Sequence, residues 1–242
     1  MSSVIDGGLI QLRDGRLVRL SGLDVPRMAP LAAAEQRGPI RDIALEARDI
    51  LAENLENAQI RIFVSRKEDA QKNRYGHWIA HLQNIENDKW VQAILLENGL
   101  ARAMPTARHP ELAPAMFHAE RHARKEKKGV WDLPAKTVQS LGSVRDHLHD
   151  LHVIQGRIVS VAVRQGRIYL NFGPDWRTDF TATIAPENRK AFSKRGMNPL
   201  EWGGRHVELR GWVGEYNGPN LELAHPVQIR FLQKNGDDEG AG

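Results

Sequence analysis

Apolar and polar positions follow two periods along this chain, and the changes of period divide it into elements. Ile10 and Leu12 lead into Asp14-Gly15, and Leu17, Val18 and Leu20 run out of it, the pattern of a hairpin across a two-residue turn of the primed type. After Pro26, Pro30 and the Gly38-Pro39 break, Ile40, Ile43, Ala44, Ala47, Ile50, Leu51 and Leu55 recur at three- and four-residue intervals, which predicts a helix reaching Asn57. Ile60, Ile62 and Val64 alternate with polar neighbours as in a half-buried strand, and Trp78 to Leu82 forms the next strand beyond a loop holding Asn73 and Gly76. Trp90, Val91, Ile94 and Leu95 predict a short helix stopped by Gly99. A further helix starts near His109-Pro110, turns Leu112, Met116, Ala119 and Ala123 inward, and ends in the basic run Arg121 to Lys128 before Gly129.

The texture then changes. Residues 133–150 read as a linker, and 151–232 as a second domain of short alternating strands: Val153 to Val163, a turn at Gln165-Gly166, Ile168 to Phe172, and Phe180 to Ile184. A helix over Pro186 to Lys194 follows, then strands over Val207 to Val213 and Leu221 to Leu223 about an Asn217-Gly218 turn. Three strands, a helix and two or three strands is the element order of an OB-type barrel. Residues 233–242 read as a frayed tail.

Composition narrows the class. Apolar residues make up 41% and charged residues 26% of 242, too apolar a mixture for a disordered chain. Cysteine is absent, which excludes disulfides, Cys-ligated zinc, iron-sulfur clusters and thiol nucleophiles. The net charge of +4 is shared by the two halves and permits an acidic partner such as nucleic acid without demanding one. No apolar run approaches the ~18 residues of a membrane span, and Met1 to Asp6 lacks the pattern of a secretory signal. The expectation is a cytoplasmic protein as written, and a periplasmic or secreted one if the true start lies upstream.

Four dispersed stretches carry a more specific signal: Val18-Arg19-Leu20-Ser21-Gly22-Leu23-Asp24-Val25-Pro26, Arg74-Tyr75-Gly76-His77, Ala93-Ile94-Leu95-Leu96-Glu97-Asn98-Gly99-Leu100-Ala101, and the basic helix closing at Gly129-Val130-Trp131. In order and spacing, residues 1–132 resemble the thermonuclease family, the micrococcal-nuclease-like proteins, which are OB-type barrels with added helices. The expected fold class is therefore mainly β with helices, α+β, with two OB-fold-like barrels in tandem. The resemblance implies a calcium ion held by two aspartates, a glutamate acting as general base on water, and two arginines on the phosphate.

Carried over position by position, the resemblance leaves only part of that machinery. Arg19 matches the first arginine and Asp24 the second metal aspartate. Gly8, in Asp6-Gly7-Gly8-Leu9, stands where the first metal aspartate is expected, Arg27 where the general base is expected, and His77 where the second arginine is expected. A cation beside the surviving carboxylate opposes metal entry by Coulomb repulsion. The resemblance thus implies no cofactor, the calcium site being lost, and a nuclease homologue leaning towards a pseudoenzyme.

Several readings follow for the candidate residues. Arg19, Arg27, Arg74 and His77 form a metal-free phosphate grip on the sharper reading; on the plainer one Arg19 pairs with Asp24 and the others face solvent. His77, titrating near neutrality, is also a candidate acid-base group. The helical pair His118 and His122 and the cluster His147, His149 and His152 have metal-binding spacings, but a solvated helix face and a linker explain them better. The basic run suits a helix C-terminus without invoking nucleic acid. In the second domain Tyr169 and Trp176 are candidate stacking residues, interleaved with Arg164, Arg167 and Arg177, while Phe172 and Phe180 read as core. Three functions remain open: binding of nucleic acid, single-stranded DNA or RNA or another phosphate-bearing ligand, without calcium-dependent cleavage; a residual phosphodiesterase using Arg19, Asp24 and His77 with some other metal or none; and a protein-interaction scaffold.

Overall fold

The computed structural model describes residues 3–27, 38–175 and 177–232. The chain divides into two compact units, Met1–Pro134 and Ala135–Gly242. Each has its own sheet, and the class is mainly β with helices, α+β.

In the first unit, strands β1 (Ser3–Asp6), β2 (Leu9–Gln11) and β3 (Leu17–Leu20) precede the short β4 (Leu23–Asp24) and the helix α1 (Pro39–Leu55). Strands β5 (Ile60–Val64) and β6 (Trp78–Asn84), helix α2 (Val91–Glu97), β7 (Arg102–Ala103) and helix α3 (Ala113–Lys125) complete it. The five-stranded sheet runs β1-β2-β3-β6-β5, with β3 parallel to β6, and β4 pairs separately with β7. Helix α1 begins where the prolines end, with Pro39 in its first turn, where the missing N–H costs nothing. It buries Ile43, Ala44, Ala47, Leu51 and Leu55, one stripe at helical spacing. Gln92 of α2 is fully buried and stands in for a strand neighbour: it accepts from the Leu82 N–H at 3.2 Å and donates to the Ala80 carbonyl at 2.9 Å.

Two local expectations change. The β2–β3 connection is not a two-residue primed turn: Leu12 N–H donates to the Arg16 carbonyl, leaving three residues at the tip, with Gly15 in the left-handed region at φ +83°. Helix α3 starts at Ala113 rather than near Pro110, because Leu112 is itself left-handed at φ +56° and is exposed instead of buried.

The second unit contains β8 (Asp150–Arg157), β9 (Ser160–Arg164), β10 (Arg167–Asn171), β11 (Thr181–Ile184), helix α4 (Arg189–Ser193), β12 (His206–Glu215), β13 (Pro219–Glu222) and β14 (Ile229–Leu232). Three strands, a helix and further strands appear in the expected order, with β11 parallel to β13. The chain from Asp150 to Arg164 is one bent ribbon. Its first half pairs with β12 and its second with β10, so the two ends of the sheet are joined through Ile158 and Val159 rather than by a hydrogen-bonded ladder. Ile154, Ile168, Leu170, Phe172, Phe180, Phe192 and Trp202 fill the core, with Phe172 edge-on to Phe180 at 5.2 Å between centroids. Part of the stretch read as a linker is packed: Val144 is fully buried in this core, Gln139 bridges to Ile154, and Lys136 pairs with Asp150 at 2.6 Å.

The first unit depends on one backbone crossing. Gly99 after α2 and Gly129 after α3 are both left-handed, and the Val130 N–H donates to the Gly99 carbonyl at 2.8 Å. A Cβ on Gly129 would lie 2.2 Å from the Gly99 oxygen. Gly129→Ala is therefore expected to destabilise the protein by about 2 kcal/mol or more, through left-handed strain plus a backbone clash that no side-chain rotation relieves, read as a lowered thermal midpoint.

A second prediction concerns His81 on β6, which is buried against Trp90 with neither ring nitrogen hydrogen-bonded among the described residues. Burial pushes its pKa down to about 4, with Glu111 opposing the shift and His109 adding to it. The folded state holds this ring neutral while the unfolded chain protonates it near pH 6.5. Stability is thus full above about pH 6.5 and falls by about 3 kcal/mol as the pH drops to 4. His81→Phe should flatten that loss, measured by denaturant unfolding at pH 7 and pH 4.5. An unchanged pH dependence in the variant would show that other groups carry it.

Candidate functional site

Strand β3 alternates Val18 and Leu20 inward, which turns Arg19 to the other face, level with Leu9 on one side and Ile79 on the other. Asp6 ends β1 and meets it there. Its Oδ1 accepts from the Gly8 N–H at 2.7 Å and from Arg19 Nη1 at 3.1 Å. Gly7 has no room for a side chain, since a Cβ would lie 2.7 Å from the Ala47 Cβ and 2.8 Å from Val25 Cγ1. Gly8 has room: its Cβ would stand 3.4 Å from Arg19 Nη1. A carboxylate at position 8 would therefore share this guanidinium with Asp6.

Asp24 lies on β4 directly opposite Arg102 on β7. Arg102 Nε donates to Asp24 Oδ2 at 3.0 Å and Nη2 donates to the same oxygen at 2.5 Å. The Arg102 side chain is 0% exposed and that of Asp24 is 18% exposed. A guanidinium out of water requires a counter-charge, and cross-strand placement supplies it. On the plainer sequence reading Arg19 pairs with Asp24. The structure instead gives Arg19 to Asp6 and Asp24 to Arg102.

Neither Asp6 nor Arg102 is prominent in the sequence. Asp6 opens the Asp6-Gly7-Gly8-Leu9 stretch at a position to which the resemblance assigns no role. For Arg102 the one available signal is its place just after Gly99-Leu100-Ala101, in an otherwise apolar stretch.

Arg27 is exposed. Arg74 is exposed and lies over its neighbour Tyr75 at 4.8 Å, donating to its hydroxyl at 2.6 Å. Asn73 shapes that loop by accepting from the N–H groups of Tyr75 and His77, and Gly76 is left-handed at φ +79°. The His77 ring is half-buried, 6.0 Å from the Tyr75 ring, and its Nδ1 is buried without a hydrogen-bond partner among the described residues.

The histidine spacings do not form a metal centre. Among the described residues no group of three or more His, Asp or Glu is arranged to hold a metal ion. His152 is buried, its Nε2 meeting the His147 carbonyl, and His118 and His122 lie on α3. Arg124, in the basic run, has its guanidinium 5.5 Å from the Trp131 ring centroid. In the second unit Tyr169 is half-buried on β10 and lines a cleft with Arg164 and Arg167. Trp176 lies outside the described residues. Among the described residues no helix is long and apolar enough to cross a membrane.

Comparison with known proteins bears on the first unit. A search of curated proteins finds no match to this chain. The sequence model of the family described as Staphylococcal nuclease homologue matches residues 17–133, a span that contains Arg19, Asp24, Arg27, Arg74, His77 and Arg102. The four stretches and the paired strands β4 and β7 lie in that span, and residues 17–133 are similar to the staphylococcal nuclease family.

Proposed function

We propose that this protein binds single-stranded nucleic acid and does not cleave it by calcium-dependent hydrolysis. The observation that carries the second half of this reading is the pair of ion pairs Arg19–Asp6 and Arg102–Asp24. Calcium requires six to eight oxygens and is attracted by unneutralised carboxylates. Here Asp6 accepts from Arg19 and Asp24 from Arg102, position 8 offers no carboxylate, and position 27 carries an arginine where the resemblance leads one to expect a glutamate. These residues do not fit calcium. They also disfavour the residual phosphodiesterase, because Arg19 and Asp24 are each engaged in a separate ion pair.

Nucleic-acid binding is supported by the nuclease-like domain, the mildly basic balance, and the exposed arginines 27 and 74. A protein-interaction scaffold has no comparable observation in its favour.

Purified protein should leave a labelled single strand intact in calcium, and calcium should not raise its melting temperature. Binding at a hundred times the dissociation constant would appear as ~2.7 kcal/mol of stabilisation. A calcium-induced stabilisation that Asp24→Asn abolishes would overturn this reading of the site. Absence of salt-sensitive binding to any single strand at low ionic strength would overturn the binding half and favour the scaffold.

Reversion probes the same site from the other side. Gly8→Asp, Arg27→Glu and His77→Arg together are expected to produce measurable calcium-dependent cleavage, and each alone is not, since such groups act as a unit. The 3.4 Å between a Cβ at position 8 and Arg19 Nη1 gives the new carboxylate a place to sit. Cleavage by any single variant would show that the parent site is closer to competence than the ion pairs imply.

A further inference from the structure

Strands β9, β10, β11 and β13 of the second unit carry a cleft of about 690 Å³ on the face opposite their core side chains. Its lining is polar and aromatic together. Arg164 and Arg167 stand beside Tyr169, Thr181 and Thr183 form the middle, and Glu222 and the tip residue Tyr216 close the far side. Most of these groups are organised. Arg167 Nη1 donates to Glu222 Oε2 at 3.3 Å and to the Thr183 hydroxyl at 3.4 Å, and Asn220 Nδ2 donates to the Thr181 carbonyl at 3.2 Å.

Three groups are left over. Thr181 is only 7% exposed, yet its hydroxyl has no hydrogen-bond partner among the described residues. A buried hydroxyl without a partner disfavours the fold, and its place in the wall of a cleft points to a partner that comes from outside. Arg164 is exposed, with no carboxylate paired to it among the described residues. Tyr216 is 74% exposed, an apolar ring held in water at a left-handed turn (Asn217 φ 52°, Gly218 φ 95°).

A second, smaller cleft of about 340 Å³ lies beside the first and shares Tyr216, Asn220 and Glu222 with it, with the exposed Trp212 on its other side. The two clefts thus have Tyr169 on one flank, Trp212 on the other and Tyr216 in the shared wall.

We propose that this face takes a short run of single-stranded nucleic acid, two successive bases lying in the neighbouring clefts against Tyr169, Tyr216 and Trp212, with a phosphate on Arg164. Flat aromatic faces accept any base, and a cation beside them accepts the backbone. Glu222 and the Thr181 hydroxyl offer an acceptor and a donor to a base edge. Two clefts in series favour a strand over a single nucleotide, and a mixed set of polar groups with an unneutralised cation favours it over an apolar peptide. The proposal deepens the binding function proposed above and rests on it.

The test is fluorescence anisotropy on the full chain with a labelled single-stranded oligonucleotide, at three salt concentrations, with mononucleotide as competitor. Tyr216→Ala should weaken binding roughly 5- to 150-fold, the range of a lost base–aromatic stack, with the salt slope unchanged. Arg164→Ala should weaken it and reduce the slope of log affinity against log salt by about 0.7, one released counterion. Thr181→Val should weaken binding while leaving the melting temperature equal or higher, a combination that a purely structural threonine does not give.

If wild type binds the strand and all three cleft variants match it, the cleft is not the site, while the proposed function stands. If wild type binds no strand, both fall. Mononucleotide binding as tight as the strand would overturn the two-base reading.

Discussion

A guanidinium with no access to water must be neutralised in place, and in the first unit that requirement falls on Asp24. Arg102 sits on a two-residue strand whose only partner among the described strands is β4, and the residue opposite it is Asp24. The pairing ties β4 to β7 at the edge of the nuclease-like site, because a carboxylate opposite a fully buried guanidinium offsets the cost of taking that charge out of water. It also decides the chemistry. A carboxylate committed to an arginine has little negative potential left for a divalent ion.

Asp6 and Arg19 repeat the logic at lower burial. The tight Gly7-Gly8 turn brings the Asp6 carboxylate back over its own chain, where it accepts from the Gly8 N–H and from Arg19. The absence of a side chain at Gly7 is a packing matter, because Ala47 of α1 and Val25 occupy the space. At Gly8 a Cβ would meet Arg19, Val25 and Asp6 only at ordinary contact distances of 3.4 to 3.7 Å, so no backbone clash excludes a side chain there. This distinction gives the reversion of position 8 a physical basis.

The fold was legible in the sequence wherever a period ran for several turns or strands. Helix α1 and the alternating strands of the second unit follow directly from where the apolar residues recur. Legibility failed where one residue's backbone conformation decided the outcome: Leu112 in the left-handed region delays α3, and Gly15 in the same region makes a three-residue tip where two were expected. The stretch 133–150 reads as a linker because Asp132 to Ser143 is rich in small and polar residues, yet Val144 is part of the core. The site was legible as a set of family positions and not as a set of partners. Both arginines at its centre are partnered through contacts 13 and 78 residues apart, which no local pattern encodes.

In the second unit a buried pair, Arg210–Glu208, resembles the Arg102–Asp24 pair of the first, whereas on the cleft face Arg167 is matched by Glu222 and Arg164 has no carboxylate paired to it among the described residues. Alternation along β11 puts Ala182 and Ile184 into the core and Thr181 and Thr183 on the other face, where hydroxyls ordinarily meet water. Here both threonines are buried nonetheless, because the long side chains of neighbouring strands stand over them and turn a flat sheet face into a walled cleft. Thr183 gains a donor from one of those walls and Thr181 gains none. A sheet face built only for solubility would leave that hydroxyl in water, and its burial beside an unmatched cation and an exposed ring is the reason this face is proposed to meet a ligand.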